Sequence, residues 1–412
     1  MNATLLFYII IGVLLLDFIV DKILGALNAA HFDDTLPEEI NDVYDKDEYQ
    51  KSQAYKKANY RFGLVSSSFS LLALLLFFFL DGFAFVDGIA RSFSDNPIVI
   101  ALVFFGVILL GSDLLGTPFS YYDTFVIEEK FGFNKTSKKT FFLDKLKAWL
   151  LGGIIGGGIL ALIVWFYGFA ENDFWWYAWI FVSVFAVFTN MFYAKLIVPI
   201  FNKQTPLDAG SLRDKIESYA EKVGFQLKNT FIIDGSKRST KANAYFSGFG
   251  KEKRITLYDT LLKDLNEDEI VAVLAHEVGH YKKNHIIINL ILSILTTGFT
   301  LWLLSLFVGN PLLSEALGVS IPSFHIGLVA FGILYGPISE LTGLAMNYLS
   351  RKFEYQADDF AGKTHRPEHL ISGLKKLSNS SLGNLTPHPA YVFVHYSHPT
   401  LLQRFKNLQT KK

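Results

Sequence analysis

The chain contains no cysteine, which removes a whole class of chemistry before any motif is considered. Disulfides, thiolate zinc sites, thiol nucleophiles and cysteine-borne lipid anchors are all excluded, so any metal site must draw on His, Asp and Glu. Charge is also scarce. Only 18% of residues are Asp, Glu, Lys or Arg, against about 25% in ordinary soluble chains. The 38 basic and 38 acidic residues cancel, which leaves none of the basic excess that marks a nucleic-acid-binding protein, and no nucleic-acid partner is expected. The segment before the first apolar run, Met1-Asn2-Ala3, lacks a positive side chain, and no clear small-residue cleavage site follows. That run therefore reads as a retained membrane helix rather than a signal peptide. There is no Gly-x-Ser-x-Gly elbow. Gly362-Lys363-Thr364 lacks the earlier glycine a phosphate loop needs.

What fills the chain is apolar. Seven stretches, roughly 4–20, 64–80, 97–116, 149–168, 174–200, 286–308 and 325–348, are candidates to cross a bilayer, whose core needs about 20 helical residues. Basic residues in the connections alternate along the chain. There are six in 21–61, one (Arg91) before the third stretch, six in 117–148, none in 169–173, fourteen in 201–285, none in the sixth connection and ten from 349 onward. The positive-inside rule then sets the N-terminus outside and the C-terminus in the cytoplasm. Four units follow: a five-helix membrane region over 1–200, a cytoplasmic segment over 201–285, two membrane helices over 286–348, and a cytoplasmic segment over 349–412. The fold class expected is a mainly α, polytopic membrane protein carrying a cytoplasmic metallopeptidase domain with a small sheet.

Within 201–285, Ser211 to Val223 has helical spacing, while Thr230 to Asp234 and Arg254 to Tyr258 read as strands, with an edge strand expected between them at Asn243 to Phe249. Asn266 followed by Glu269 has the form of a capping box opening a helix. That helix carries His276-Glu277-Val278-Gly279-His280. Histidines four apart share one helical face and suit two ligands of one tetrahedral zinc, with the intervening glutamate placed to activate a bound water. Gly279 gives room for a close neighbour.

A third ligand is needed. Glu354 and Asp358 are also four apart, just beyond the seventh apolar stretch and on the same side as the histidines. Spacing alone fits two arrangements. In one, Glu354 is the third ligand and Asp358 a carboxylate that orients a ligand histidine. In the other, both form a solvated acidic face paired with Arg351 or Lys352. His388, His395 and His398 cluster near the tail, where a histidine with Arg404 can stabilise an oxyanion or simply pack in a surface turn. His285 reads as interfacial. Asp17, Asp113, Asn190, Lys195, Glu340 and Asn347 lie in or beside apolar stretches, where polar groups usually face a bundle interior. The glycines of Gly152 to Gly158 suggest close helix packing.

Taken together, Tyr122 to Thr136, Asn243 to Gly248, Ser350 to Asp358 and His395 to Arg404 resemble the type I CAAX prenyl proteases, integral-membrane zinc endopeptidases, over nearly the whole chain. The resemblance implies one zinc ion on His276, His280 and Glu354, with Glu277 as general base. It further implies Asp358 orienting a ligand histidine, His398 and Arg404 near the scissile carbonyl, and Asn243, Ala244, Tyr245 and Phe246 along the substrate. The implied partners are a peptide or protein substrate, possibly prenylated, and membrane lipid. The rivals are an HtpX-type quality-control protease with the same chemistry and a transporter or receptor that binds metal without catalysis. The final Lys411-Lys412 does not fit a dilysine retrieval signal, which favours a bacterial inner membrane; in a eukaryote the endoplasmic reticulum is expected.

Overall fold

In the computed structural model, residues 2–225, 230–247 and 254–410 are described. Long helices dominate: α1 (Ala3–Ala29), α2 (Lys46–Phe79), α4 (Pro97–Glu128), α5 (Lys138–Ala170), α6 (Phe174–Phe201) and α9 (His285–Phe307) are each long and apolar enough to cross a membrane. A shorter α3 (Gly82–Phe93) lies between α2 and α4. Only 6–17% of each apolar window is buried within the chain. The rest, including Leu16, Leu72, Leu109 and Leu295, forms an apolar exterior far larger than a soluble protein carries, and lipid is the solvent that suits it.

The seventh crossing is not the single straight helix that the apolar stretch suggests. It consists of α10 (Phe324–Leu334) and α11 (Gly336–Thr364), which meet at a 55° bend. Pro337 has no N–H to give and disfavours helical geometry at Gly336 before it, which accounts for the break. Beyond the apolar part, α11 runs on out of the membrane region and carries Glu354 and Asp358.

Between α6 and α9 lies a mixed four-stranded sheet in the order β1 (Gln204–Pro206), β2 (Thr230–Ile233), β4 (Arg254–Tyr258), β3 (Ala244–Ser247). β2 and β4 run parallel, with Ile232 opposite Leu257, while β3 runs antiparallel to β4, with Tyr245 opposite Thr256. β3 thus occupies an edge, as expected, although Gly248 and Phe249 of the expected strand lie outside the described residues, as do Lys411 and Lys412. β1 escaped the sequence reading; three residues ending in a proline give no alternation to detect.

Helix α7 (Ser211–Lys222) and helix α8 (Glu267–Lys282) close a core on one face of the sheet, made of Ile216, Ile255, Leu257, Ile270, Leu274 and Val278 among others. The Asn266 capping box is present. Asn266 Oδ1 accepts from the Glu269 N–H at 3.0 Å and Glu269 Oε2 accepts from the Asn266 N–H at 2.9 Å, an arrangement whose cap is worth about 1 kcal/mol. The remaining helices used below are α12 (Pro367–Ser380), α13 (Pro389–His395) and α14 (Leu401–Gln409).

The glycine-rich turn of α5 departs from expectation. Residues 152–156 form a π-helical turn, and a Cβ on Gly152, Gly153, Gly156 or Gly158 would meet open space; of the run, Gly157 alone packs on a neighbour, with Leu102 of α4 at 3.5 Å. Asp113, by contrast, is held within the helices: Lys145 Nζ and Trp149 Nε1 donate to it at 2.7 and 3.0 Å.

Candidate metal centre and active site

Helices α8 and α11 cross where Gly279 meets Ala357. A Cβ placed on Gly279 falls 3.0 Å from both the Ala357 Cα and its carbonyl oxygen. Only glycine permits that approach, and the approach is what brings Glu354 to the histidines. His276 Nε2 and His280 Nε2 lie 3.1 Å apart. Glu354 Oε2 is 3.3 Å from His276 Nε2, and Glu354 Oε1 is 3.2 Å from His280 Nε2. A tetrahedral ion with bonds of about 2.0–2.1 Å has ligand-to-ligand edges of about 3.4 Å, so these three spacings suit one shared ion.

Two further observations bear on that fit. The two imidazole nitrogens facing each other at 3.1 Å have room for one proton between them, and the buried Glu354 Oε2 accepts no hydrogen bond among the described residues. An unpartnered buried carboxylate oxygen beside two converging ring nitrogens is what a cation relieves. The pocket also favours positive charge. Burial, and then the Arg404 guanidinium, work against protonation of His276, yet the carboxylates of Asp358 and Glu354 outweigh both and hold its pKa up at about 9.

The supporting groups are well defined. Asp358 is fully buried. His276 Nδ1 lies 2.9 Å from its Oδ1 and donates to it, which leaves Nε2 facing His280 and Glu354 as the atom open to a metal. Arg404 on α14 grips the same carboxylate through Nε at 2.9 Å and Nη2 at 2.5 Å. His398 reaches the site from the other side, its Nε2 3.4 Å from Glu354 Oε1, with the side chain 63% exposed. Glu277 is half-buried and lines the same cavity of about 410 Å³, together with Asn243, Ala244 and Phe246. Strand alternation turns Tyr245 to the opposite face, where it packs with Ala194, Val198 and Ile233.

His285, read as interfacial, is buried instead, with 1% exposed. Asn284 adopts a left-handed conformation, with φ 58°, which asparagine tolerates. It folds the chain back so that His285 Nδ1 lies 3.1 Å from His280 Nδ1. Gln356 Oε1 sits 2.8 Å from the other nitrogen of His285, and Phe353 stacks on its ring at 4.1 Å. His285 and Gln356 thus orient His280 as Asp358 orients His276. The missed signal was the left-handed-prone Asn immediately before a histidine. His388 caps α13 and His395 stacks on Tyr391, both away from the centre; of the tail histidines, His398 alone joins it among the described residues.

The signature Tyr122 to Thr136 does not touch the metal ligands. It holds the approach to β3: the Thr240 N–H donates to the Phe133 carbonyl at 3.0 Å, the Lys135 N–H donates to the Arg238 carbonyl at 3.0 Å, and Lys241 pairs with Glu128 at 2.9 Å.

Comparison with known proteins agrees with this architecture. Residues 27–203 match the family model described as CAAX prenyl protease N-terminal, five membrane helices, and residues 206–412 match peptidase family M48. The chain is 36% identical to CAAX prenyl protease 1 of Saccharomyces cerevisiae over 90% of its own length and 88% of the relative. It is 32% identical to the Homo sapiens CAAX prenyl protease 1 homolog over 92% and 89%. The crystal structure of S. mikatae Ste24p superposes with a TM-score of 0.93 at 34% identity, covering 98% of this chain and 99% of that one.

Proposed function

The chain belongs to peptidase family M48, with the N-terminal membrane region of the CAAX prenyl proteases, and on that premise we propose that His276, His280 and Glu354 hold a zinc ion for CAAX-type proteolysis. The protein is a multi-pass membrane metalloprotease. The substrate we propose is a protein ending in a CAAX sequence, prenylated on its cysteine and presented from the lipid, with cleavage releasing the terminal AAX segment. The observation that carries this reading is the convergence of three ligand atoms within 4.8 Å of one another beside Glu277 and the free edge of β3.

When bound, zinc supplies Lewis acidity toward a carbonyl and a water whose pKa falls toward about 7. The chain's own residues supply the rest. Among the described residues β3 pairs only with β4, so its outer edge offers main-chain groups to an extended peptide. The Asn243 side chain stands at the start of that edge. Glu277 takes a proton from the attacking water and delivers it to the leaving amine. His398 and Arg404 donate toward the carbonyl oxygen as charge develops there. Asp358, held by Arg404, keeps His276 in the tautomer that presents Nε2.

Glu277→Gln tests the assignment. The variant is expected to retain one zinc per chain by elemental analysis while hydrolysis falls by about 10²–10⁴-fold. A zinc-loaded Glu277→Gln protein cutting at the wild-type rate would remove Glu277 from this role.

We further propose the division into 1–200, 201–285, 286–348 and 349–412, with the N-terminus outside and the metal centre facing the cytoplasm. That is the cytoplasmic face of the inner membrane in a bacterium and of the endoplasmic reticulum in a eukaryote. The alternation of basic residues supports this orientation. The match of residues 27–203 to a five-helix region supports the CAAX reading over a shorter quality-control protease.

A further inference from the structure

On the face of β3 opposite the metal ligands lies a second and larger cavity, of about 960 Å³. Its one wall is apolar, built by Val182, Phe185 and Ala186 of α6. Its other wall is polar and includes Arg238, Tyr245 and Ser247. Asn243 and Phe246 line this cavity and the metal cavity alike, so the two meet at the strand.

Arg238 is unusual in how its donors are used. Nε donates to Asp144 at 2.8 Å and Nη2 to the Phe201 carbonyl at 2.8 Å. Nη1 is shut off from water and finds no acceptor among the described residues, and Ser247 Oγ is in the same position. A guanidinium fixed on two sides with a third donor left over is pre-organised for an incoming acceptor, and a carboxylate is the acceptor it matches best.

We infer that this cavity receives the AAX tail of the substrate and that Arg238 captures its terminal carboxylate. The inference rests on the CAAX reading above. It also answers a problem that reading raises. Main-chain bonding along a strand edge repeats every two residues and does not fix register. A protease that cuts at a set distance from a C-terminus gains that register from the prenylated cysteine, from the terminus itself, or from both. Side chains of an extended peptide alternate between the two faces of β3, so residues flanking the scissile bond enter the two cavities in turn. By that alternation one of the two aliphatic residues faces the α6 wall, and the terminal carboxylate suits Arg238. An isoprenoid suits the apolar wall too, but has no acceptor to offer Nη1.

The test compares two farnesylated CAAX peptides, one a free acid and one a C-terminal carboxamide, on the full-length, zinc-loaded protein in detergent. The wild type is expected to favour the acid in kcat/KM by roughly tenfold or more. Arg238→Gln should bring the acid-to-amide ratio close to one, and Arg238→Lys should restore part of it. A wild-type ratio of one overturns the inference. So does an Arg238→Gln protein that loses acid and amide hydrolysis in equal proportion, which would mark Arg238 as a brace for Asp144 and the Phe201 carbonyl. If Ala186→Trp alters discrimination between farnesylated and unfarnesylated peptides while the acid-to-amide ratio stands, the cavity holds the isoprenoid and the inference fails. Failure of the wild type to cut either peptide would instead overturn the CAAX reading beneath it.

Discussion

Each ligand histidine of the metal centre is held by a residue that touches no substrate. For His276 that residue is Asp358, a choice visible from the four-residue spacing after Glu354. For His280 it is His285, which spacing does not single out, because five residues along an unbroken helix would point it elsewhere. The two supports differ physically. Asp358 carries a charge balanced by Arg404 in a site where its own side chain is 0% exposed, so removing either partner strands the other, at a cost of about 3–5 kcal/mol. His285 instead meets the His280 ring, the Gln356 amide and the Phe353 ring. His285→Ala is therefore expected to leave the fold intact while weakening zinc affinity by about 10–100-fold, measured by competition with a chromogenic chelator. Unchanged affinity would show that Gln356 and Phe353 do not act on His280 through this ring.

At the scale of elements, the crossing of α8 and α11 governs the centre, and Gly279 governs the crossing. Gly279→Ala must move Ala357 backbone atoms rather than a flexible side chain. Overpacking of this kind costs about 1–3 kcal/mol. Because the strain falls between His280 and Glu354, zinc affinity is expected to drop along with thermal stability, and the small-side-chain change Ala275→Gly elsewhere on α8 gives a stability control without that displacement. A Gly279→Ala protein with wild-type zinc affinity would refute the account. Much of this layer was legible beforehand. The capping box, the i,i+4 pairs and the room at Gly279 are local patterns, and each appears where the residues placed it. The rest depended on long-range packing. Nothing within residues 325–348 announces a 55° bend except Pro337, β1 is too short for periodicity, and the GxxxG pattern around Gly156 borders open space. The facing of Tyr245 away from the ligands follows from strand alternation once the register is known, but not before.

For the whole molecule, the absence of cysteine becomes an experimental asset. Single cysteines can be introduced into a chain with none to remove. Asp95→Cys lies in the connection carrying only Arg91, and Asp208→Cys lies in the long basic one; both positions are exposed. For the protein in a bacterial inner membrane, with the outer membrane permeabilised, this orientation predicts that a membrane-impermeant thiol reagent applied to intact cells labels the first and reaches the second only after lysis. The reverse pattern would invert the assignment and move the metal centre to the other side.

The path of the chain between α8 and α11 has one more consequence. After His280 it crosses the bilayer through α9, returns through α10, and only then delivers Glu354. During vectorial synthesis the nascent protein thus holds two histidines and a glutamate that lack their third ligand until the final hairpin has been laid into lipid. Assembly of the hydrolytic centre is in this way a readout of completed membrane integration, and a half-made or mis-inserted copy is born without teeth.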